Sequence, residues 1–182
     1  ADMGAKIRVQ ARNELTFLRE IPVLKSERLT LDALKEEDRA AYNRLCLDDK
    51  RNRWWGYDYR ADLEGELTED YFLEVARRDF AARLAVNFAV RLDGALIGEA
   101  VLYRFDYKGA AELGCRILPE FAGNGYGREA FRRAAEWSLY ELGLSRLRGK
   151  CFHENEASRR MLESCMRPAG EDETFLHFEK VV

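Results

Sequence analysis

The chain has 182 residues, 47% of them hydrophobic and 35% charged, enough to bury the core of one domain without disulfides or a structural metal. A formal net charge of −3 supplies no basic field for nucleic acid, and no apolar run approaches the roughly 20 residues that span a bilayer. The cysteines (Cys46, Cys115, Cys151 and Cys165) show no C-x-x-C pair and no zinc-type spacing, and no signal peptide is visible, so the chain reads as cytoplasmic, with neither membrane nor nucleic acid among its partners.

In chain order, residues 1–22 read as an N-terminal extension and 23–182 as one domain. The extension opens at Ala1 rather than Met, as a processed or tagged chain or a piece of a longer one would. It carries a strand at Ile7-Arg8-Val9 and a short helix over 14–18, and Pro22 closes it. Leu29-Thr30-Leu31 is a first strand, and a helix over 36–47 places Ala41, Tyr42, Leu45 and Cys46 on one face. Residues 48–66 read as irregular, mixing Trp54, Trp55, Tyr57 and Tyr59 with charges. Thr68 is the expected N-cap of a helix running to about residue 85, with Phe72, Val75, Ala76, Phe80 and Leu84 at helical spacing.

From there the period changes to that of strands. Residues 87–92 and 95–107 flank Asp93-Gly94, a two-residue hairpin signal, and Lys108-Gly109 turns the chain into a third strand over 110–118, giving an antiparallel meander. A helix over 128–142, a strand over 144–152, a helix capped by Asn155 and a last strand over 175–181 complete the chain. The fold class is α+β, a mixed sheet in which the meander is followed by strand–helix–strand and helix–strand, with helices on both faces.

Between the meander and the next helix stands Gly123-Asn124-Gly125-Tyr126-Gly127. Glycines here let backbone N–H groups crowd toward a ligand, and a helix N-terminus adds unpaired donors, so the natural guest is a phosphate or pyrophosphate. Gly125-x-Gly127-x-x-Ala130 also satisfies the dinucleotide fingerprint, with Glu154 as a ribose-binding acid. An antiparallel meander in front and a single crossover behind disfavour that oxidoreductase reading, and no Gly-Lys-Ser/Thr marks a P-loop.

This order of elements resembles the GNAT superfamily of acyl-CoA-dependent N-acetyltransferases. Ile117-Leu118-Pro119-Glu120-Phe121 and Gly123-Asn124-Gly125-Tyr126-Gly127-Arg128-Glu129-Ala130 look like its pyrophosphate loop and following helix. Asn155-Glu156-Ala157-Ser158 with Met161-Leu162-Glu163 looks like its last cofactor-side helix. Ser26-Glu27-Arg28-Leu29-Thr30-Leu31 with Ala111-Glu112-Leu113-Gly114 is similar to the branch of ribosomal-protein N-terminal alanine and serine acetyltransferases. The likeness covers residues 24–181. It departs at Ala122, where the family usually has Gln or Arg, and at Met161, where it often has a Tyr acid.

The resemblance implies that acetyl-CoA gives its acetyl group directly to a primary amine, with no metal. His153 and His177 are too few and too scattered to hold one. Gly123, Asn124, Gly125, Tyr126 and Gly127 would offer N–H groups to the pyrophosphate and Arg128 its charge. Ile117, Leu118 and Asn155 would hold the pantetheine arm, and Ser158 would donate to the departing sulfur. An ammonium must lose a proton before it attacks. Glu112 is the favoured base. Glu99, which interrupts the apolar row Ile97, Val101, Tyr103, Phe105, is its rival. Trp54, Trp55, Tyr57 and Asp58 would line the acceptor pocket for a small amine or a peptide N-terminus. A non-catalytic acyl-CoA sensor on the same fold is the alternative, and a homodimer is open.

Overall fold

The computed structural model describes residues 14–55, 57–106 and 108–182; the strand expected at Ile7-Arg8-Val9 lies outside them. The described residues form eight strands: β1 (Leu24–Lys25), β2 (Leu29–Ala33), β3 (Val86–Leu92), β4 (Ala95–Tyr103), β5 (Ala110–Ile117), β6 (Arg146–Phe152), β7 (Arg167–Glu171) and β8 (Phe175–Val181). They form one sheet in the order β1-β2-β3-β4-β5-β6-β8-β7. Every neighbouring pair is antiparallel except β5 with β6. That one parallel pair is the strand–helix–strand crossover, and it sets up the site.

Both faces of the sheet are apolar, so both are covered. On one side α4 (Tyr126–Glu136) and α5 (Glu156–Glu163) pack Ala130, Phe131, Ala134 and Leu162 against Phe88, Ala100, Leu102 and Leu113. On the other, α1 (Arg39–Leu47) and α3 (Tyr71–Ala81) pack Tyr42, Leu45, Phe72 and Leu73 over Ala89 and Leu96. Phe131 is fully buried at the centre of the first layer; truncation to Ala there costs about 3–5 kcal/mol.

A bulge in β4 decides which side chains face which layer. Val90 pairs with Gly98 and Arg91 with Leu96, leaving Ile97 as the extra residue. Ile97 therefore joins the α4 layer, while Glu99, Val101 and Tyr103 face the α1–α3 side. The expected row that ran Ile97 with Val101 and Tyr103 is thus broken, because alternation resets at the bulge. A Cβ at Gly98 would lie 2.3 Å from the Arg116 carbonyl oxygen, so glycine is what lets β4 approach β5 this closely.

Several boundaries differ from expectation. The helix expected over 36–47 begins as a 3₁₀ turn (Glu36–Asp38) before α1. The irregular stretch holds a helix, α2 (Asp49–Trp55), and a 3₁₀ turn (Tyr59–Ala61). α2 has no buried residue, so its sequence lacks an apolar stripe. It starts where Asp48 Oδ1 accepts the Arg51 N–H at 2.9 Å. α3 starts at Tyr71 with Asp70, not Thr68, at the cap, and stops at Ala81, two residues before Arg83 turns to φ +58°. α4 begins at Tyr126 and continues as a wide π turn (Trp137–Glu141) before Gly143, at φ +97°, ends it. β4 ends at Tyr103. β7, which the sequence hid behind Pro168 and Gly170, is an exposed edge strand with an irregularity between those residues.

Candidate active site

The parallel pair β5 and β6 is joined only at Ala110–Arg146, Ala111–Leu147 and Glu112–Arg148. Past Glu112 the strands diverge, and β5 keeps β4 on one edge with no strand on the other. A polar backbone edge left open inside a sheet is a place for an extended ligand to pair. Ile117 and Leu118 close its far end, where the Leu118 N–H donates to the bulged Ile97 carbonyl at 2.7 Å.

Next comes the glycine turn. Gly123 and Gly125 take φ +81° and +78°, a left-handed backbone that costs other residues about 1–2 kcal/mol. With those two turns the N–H groups of residues 123–128 find no acceptor among the described residues, and the last three of them open the first turn of α4. The arrangement is an anion cradle. Gly127 faces Ile117 and Met161, where a Cβ would make ordinary contacts at 3.5 and 3.8 Å.

The turn is held from a distance. Arg28 donates from Nε to Glu129 Oε1 at 2.7 Å and from Nη1 to the Asn124 carbonyl at 3.0 Å, and its guanidinium lies 4.6 Å from the Tyr126 ring centroid. Ser26 Oγ donates to Glu129 Oε2 at 2.5 Å. Glu129 sits in the first turn of α4, where a carboxylate suits the helix dipole. Burial would push its pKa up, but the bonds from Ser26 and Arg28 hold it below the usual carboxylate range. Beside this clasp, Arg128, Arg132, Arg133 and Lys25 border a shallow basin.

Asn155 caps α5 as expected. Its Oδ1 accepts the Ser158 N–H at 3.3 Å and its Nδ2 donates to Ser158 Oγ at 2.9 Å. With one oxygen lone pair occupied by that amide, the Ser158 hydroxyl is left to donate its own hydrogen elsewhere.

The opposite face of the same strands is a cleft of about 380 Å³ between the sheet and α1, α2 and α3. Its floor is built from Glu99, Val101 and Tyr103 of β4 and Arg116 of β5; across the strands Glu99 pairs with Arg116, while Gly114 and Glu112, the partners of Val101 and Tyr103, lie behind that lining. Glu99, 1% exposed, receives Arg116 Nη2 at 2.6 Å and Nε at 2.9 Å on one oxygen, and the Tyr42 hydroxyl at 2.7 Å and Asn87 at 3.4 Å on the other. All of its lone pairs are engaged. Burial alone would lower the pKa of Arg116, but Glu99 raises it overall. Glu112 is more open. It accepts the Tyr103 hydroxyl, and Lys150 Nζ and Arg104 Nη1 stand 3.8 and 3.7 Å away.

The aromatic stretch divides. Trp55 lies over Gly114 and under the Arg116 guanidinium, 4.4 Å from its ring centroid, and Tyr57 borders the cleft mouth. Trp54 instead packs on Phe152, at 5.8 Å between ring centroids, and Asp58 caps the 3₁₀ turn by accepting the Arg60 N–H at 3.0 Å; neither borders the cleft. Sequence reasoning missed Tyr59, Tyr71 and Asp79 on the cleft wall, and the roles of Arg116, Tyr103 and Lys150. Asp79 is half-buried in the last turns of α3, and burial raises its pKa. The Cys46 thiol, also on the wall, is pushed up to about 12 by burial, which leaves it a poor nucleophile. Among the described residues no group of three or more His, Cys, Asp or Glu is placed to hold a metal, and no helix is long and apolar enough to cross a membrane.

Residues 28–165 match the model of the acetyltransferase (GNAT) domain. A curated relative, the uncharacterized N-acetyltransferase YoaA of Bacillus subtilis, is 26% identical over 144 residues, covering 78% of this chain and 80% of its own. Among solved structures, spermidine N-acetyltransferase from Vibrio cholerae in complex with CoA and spermine superposes with a TM-score of 0.72 at 22% identity, over 86% of this chain and 96% of that one. RimL, a ribosomal alpha-N-protein acetyltransferase, gives 0.71 at 14% identity over 89% and 95%. The chain is an N-acetyltransferase and belongs to the GNAT family.

Proposed function

We propose that the chain binds acetyl-CoA and passes its acetyl group directly to the nitrogen of a primary amine. One observation carries the reading: the opening between β5 and β6 has an anion cradle at one end and the aromatic cleft at the other. A molecule with a pyrophosphate, an amide-bearing arm and a terminal thioester fits that sequence of surroundings. The pyrophosphate takes the N–H groups of Gly123, Asn124, Gly125, Tyr126 and Gly127, with Arg128 beside it. Ile117 and Leu118 pair with the arm, as does Asn155. Ala122 contributes backbone only, so the cradle rests on main-chain donors.

In this reading Glu112 is the base. Glu99, whose lone pairs are all engaged by Arg116, Tyr42 and Asn87, holds the floor of the cleft. The amine nitrogen attacks the thioester carbonyl, and the C–S bond breaks as the Ser158 hydroxyl donates to the departing thiolate. Ser158 takes the part that the missing tyrosine at Met161 would have played. Direct attack, without an acyl-cysteine, is supported by the raised pKa of Cys46. Trp55 and Tyr57, with Tyr59 and Tyr71, wall the acceptor, and aromatic faces suit an ammonium. Trp54 and Asp58 take no part. Structural relatives carry names for both small polyamine and protein N-terminal acceptors, so both classes belong in the test. Acetyl-CoA is incubated with spermidine, free amino acids, an aminoglycoside and peptides with free N-termini, and each product is identified by mass. One of these amines gains an acetyl group; acetyl-CoA binding with no amine acetylated would instead mark an acyl-CoA sensor.

A further inference from the structure

We propose that Tyr103 is a catalytic residue whose hydroxyl carries the proton of the acceptor amine to Glu112. The inference rests on the acetyl-transfer reading above and adds a group to it. Glu112 does not border the cleft, whereas Tyr103 does. A base that does not reach the chamber needs an intermediary within hydrogen-bond reach of both sides.

Tyr103 has the required placement. It is the direct cross-strand neighbour of Glu112, and its O–H donates to Glu112 Oε2. A phenol has one hydrogen and two lone pairs. With the hydrogen committed to the carboxylate, the oxygen is left as an acceptor, and an ammonium N–H is a donor it can take. Arg104 and Lys150, both bordering the cleft, stand 3.7 and 3.8 Å from the Glu112 carboxylate. Burial, and then the charge of Glu112, raise the pKa of the Tyr103 hydroxyl above its ordinary value. The phenol therefore stays protonated and passes protons only in concert.

The step balances as follows. The ammonium gives one N–H proton to Tyr103 Oη while Tyr103 gives its own to Glu112. The freed lone pair forms the C–N bond at the thioester carbonyl, and the C–S bond breaks. The Ser158 hydroxyl gives its proton to the departing thiolate and is restored by the second nitrogen proton, so that proton ends on the CoA sulfur. The amide keeps the third, and Glu112 returns its proton to solvent.

The test compares Tyr103→Phe, which keeps the ring over Gly114, with Glu112→Gln and with the double variant. Thiol release is followed with the fastest amine of the panel and with ethylamine and trifluoroethylamine as strongly and weakly basic probes of one shape. A relay predicts that each single variant loses about 10²-fold in kcat/KM for the amine. The double variant then loses no more than either single one, since both sit on one path. The loss shrinks for trifluoroethylamine, whose nitrogen gives up its proton readily. Acetyl-CoA affinity, read by fluorescence titration, is unchanged. Activity of Tyr103→Phe within about twofold of the parent overturns the relay, as do losses that multiply in the double variant. If Tyr103→Phe does not fold, Glu112→Asp serves, since it keeps a carboxylate but withdraws it from Tyr103; parent-like activity there also overturns the relay. A parent chain that acetylates no amine fails the acetyl-transfer reading itself, which is a separate outcome.

Discussion

The two ends of the site are built from different material. The cofactor end is mostly backbone: the open edge of β5, the left-handed turns at Gly123 and Gly125, and the first N–H groups of α4. The acceptor end is mostly side chains, brought from α1, α2, α3 and four strands onto one face. In the proposed function, backbone donors take what is common to every acyl-CoA, and side chains are free to change with the amine. Substitutions at the two ends should accordingly separate cofactor affinity, turnover and stability.

The largest effect on stability is expected at the floor of the acceptor end. Arg116→Met leaves the buried Glu99 carboxylate without its cation and releases Trp55 of α2, at a cost of about 3–5 kcal/mol, measured by urea unfolding. A loss below 1 kcal/mol would mean that the pair is not what ties α2 to the sheet. Next comes turnover: Glu112→Gln lowers kcat by about 10²-fold or more with the KM for acetyl-CoA unchanged, checked by steady-state kinetics. At the cofactor end, Gly125→Val sets a β-branched residue at φ +78° and costs about 1–2 kcal/mol. Acetyl-CoA affinity falls by up to about tenfold, by titration calorimetry, while an amine already bound in the cleft is unaffected.

The smallest effect concerns Asp79. Its carboxyl pKa is raised in the fold by burial, so the folded state holds the proton more tightly than the unfolded chain does. The charged form therefore subtracts stability at neutral pH; the subtraction fades as pH falls through the raised folded value and is gone below the unfolded value of about 3.9. Asp79→Asn should raise the melting temperature slightly at pH 7, with no gain at pH 3. It should also weaken cationic acceptors several-fold without touching acetyl-CoA. Equal melting curves at both pH values would remove Asp79 from the argument.

The same division explains what could be read in the chain. The cofactor end is a local motif, so residues 117–130 and the Asn155 cap were visible as consecutive letters. Even the clasp of Arg28 on Glu129 had a trace, since Ser26-Glu27-Arg28 was part of the resemblance, though nothing local tied it to residue 129. The acceptor end depends on register. Tyr103 meets Glu112 and Glu99 meets Arg116 only once the β4–β5 pairing is known, and the Ile97 bulge shifts which side of β4 each residue takes. α2 escaped notice because a seven-residue helix with no buried face has no periodicity to read. Trp54 and Trp55 are adjacent letters that point to different neighbours, Phe152 and Gly114, which composition cannot distinguish.

The central claim, direct transfer of acetyl from CoA to an amine nitrogen, is tested most directly by following isotopically labelled acetyl-CoA with and without the amine. The account predicts one acetylated amine per thiol released, and an unmodified protein mass when acetyl-CoA is supplied alone. Label retained on the protein, or thiol released without acetylated amine, would contradict it.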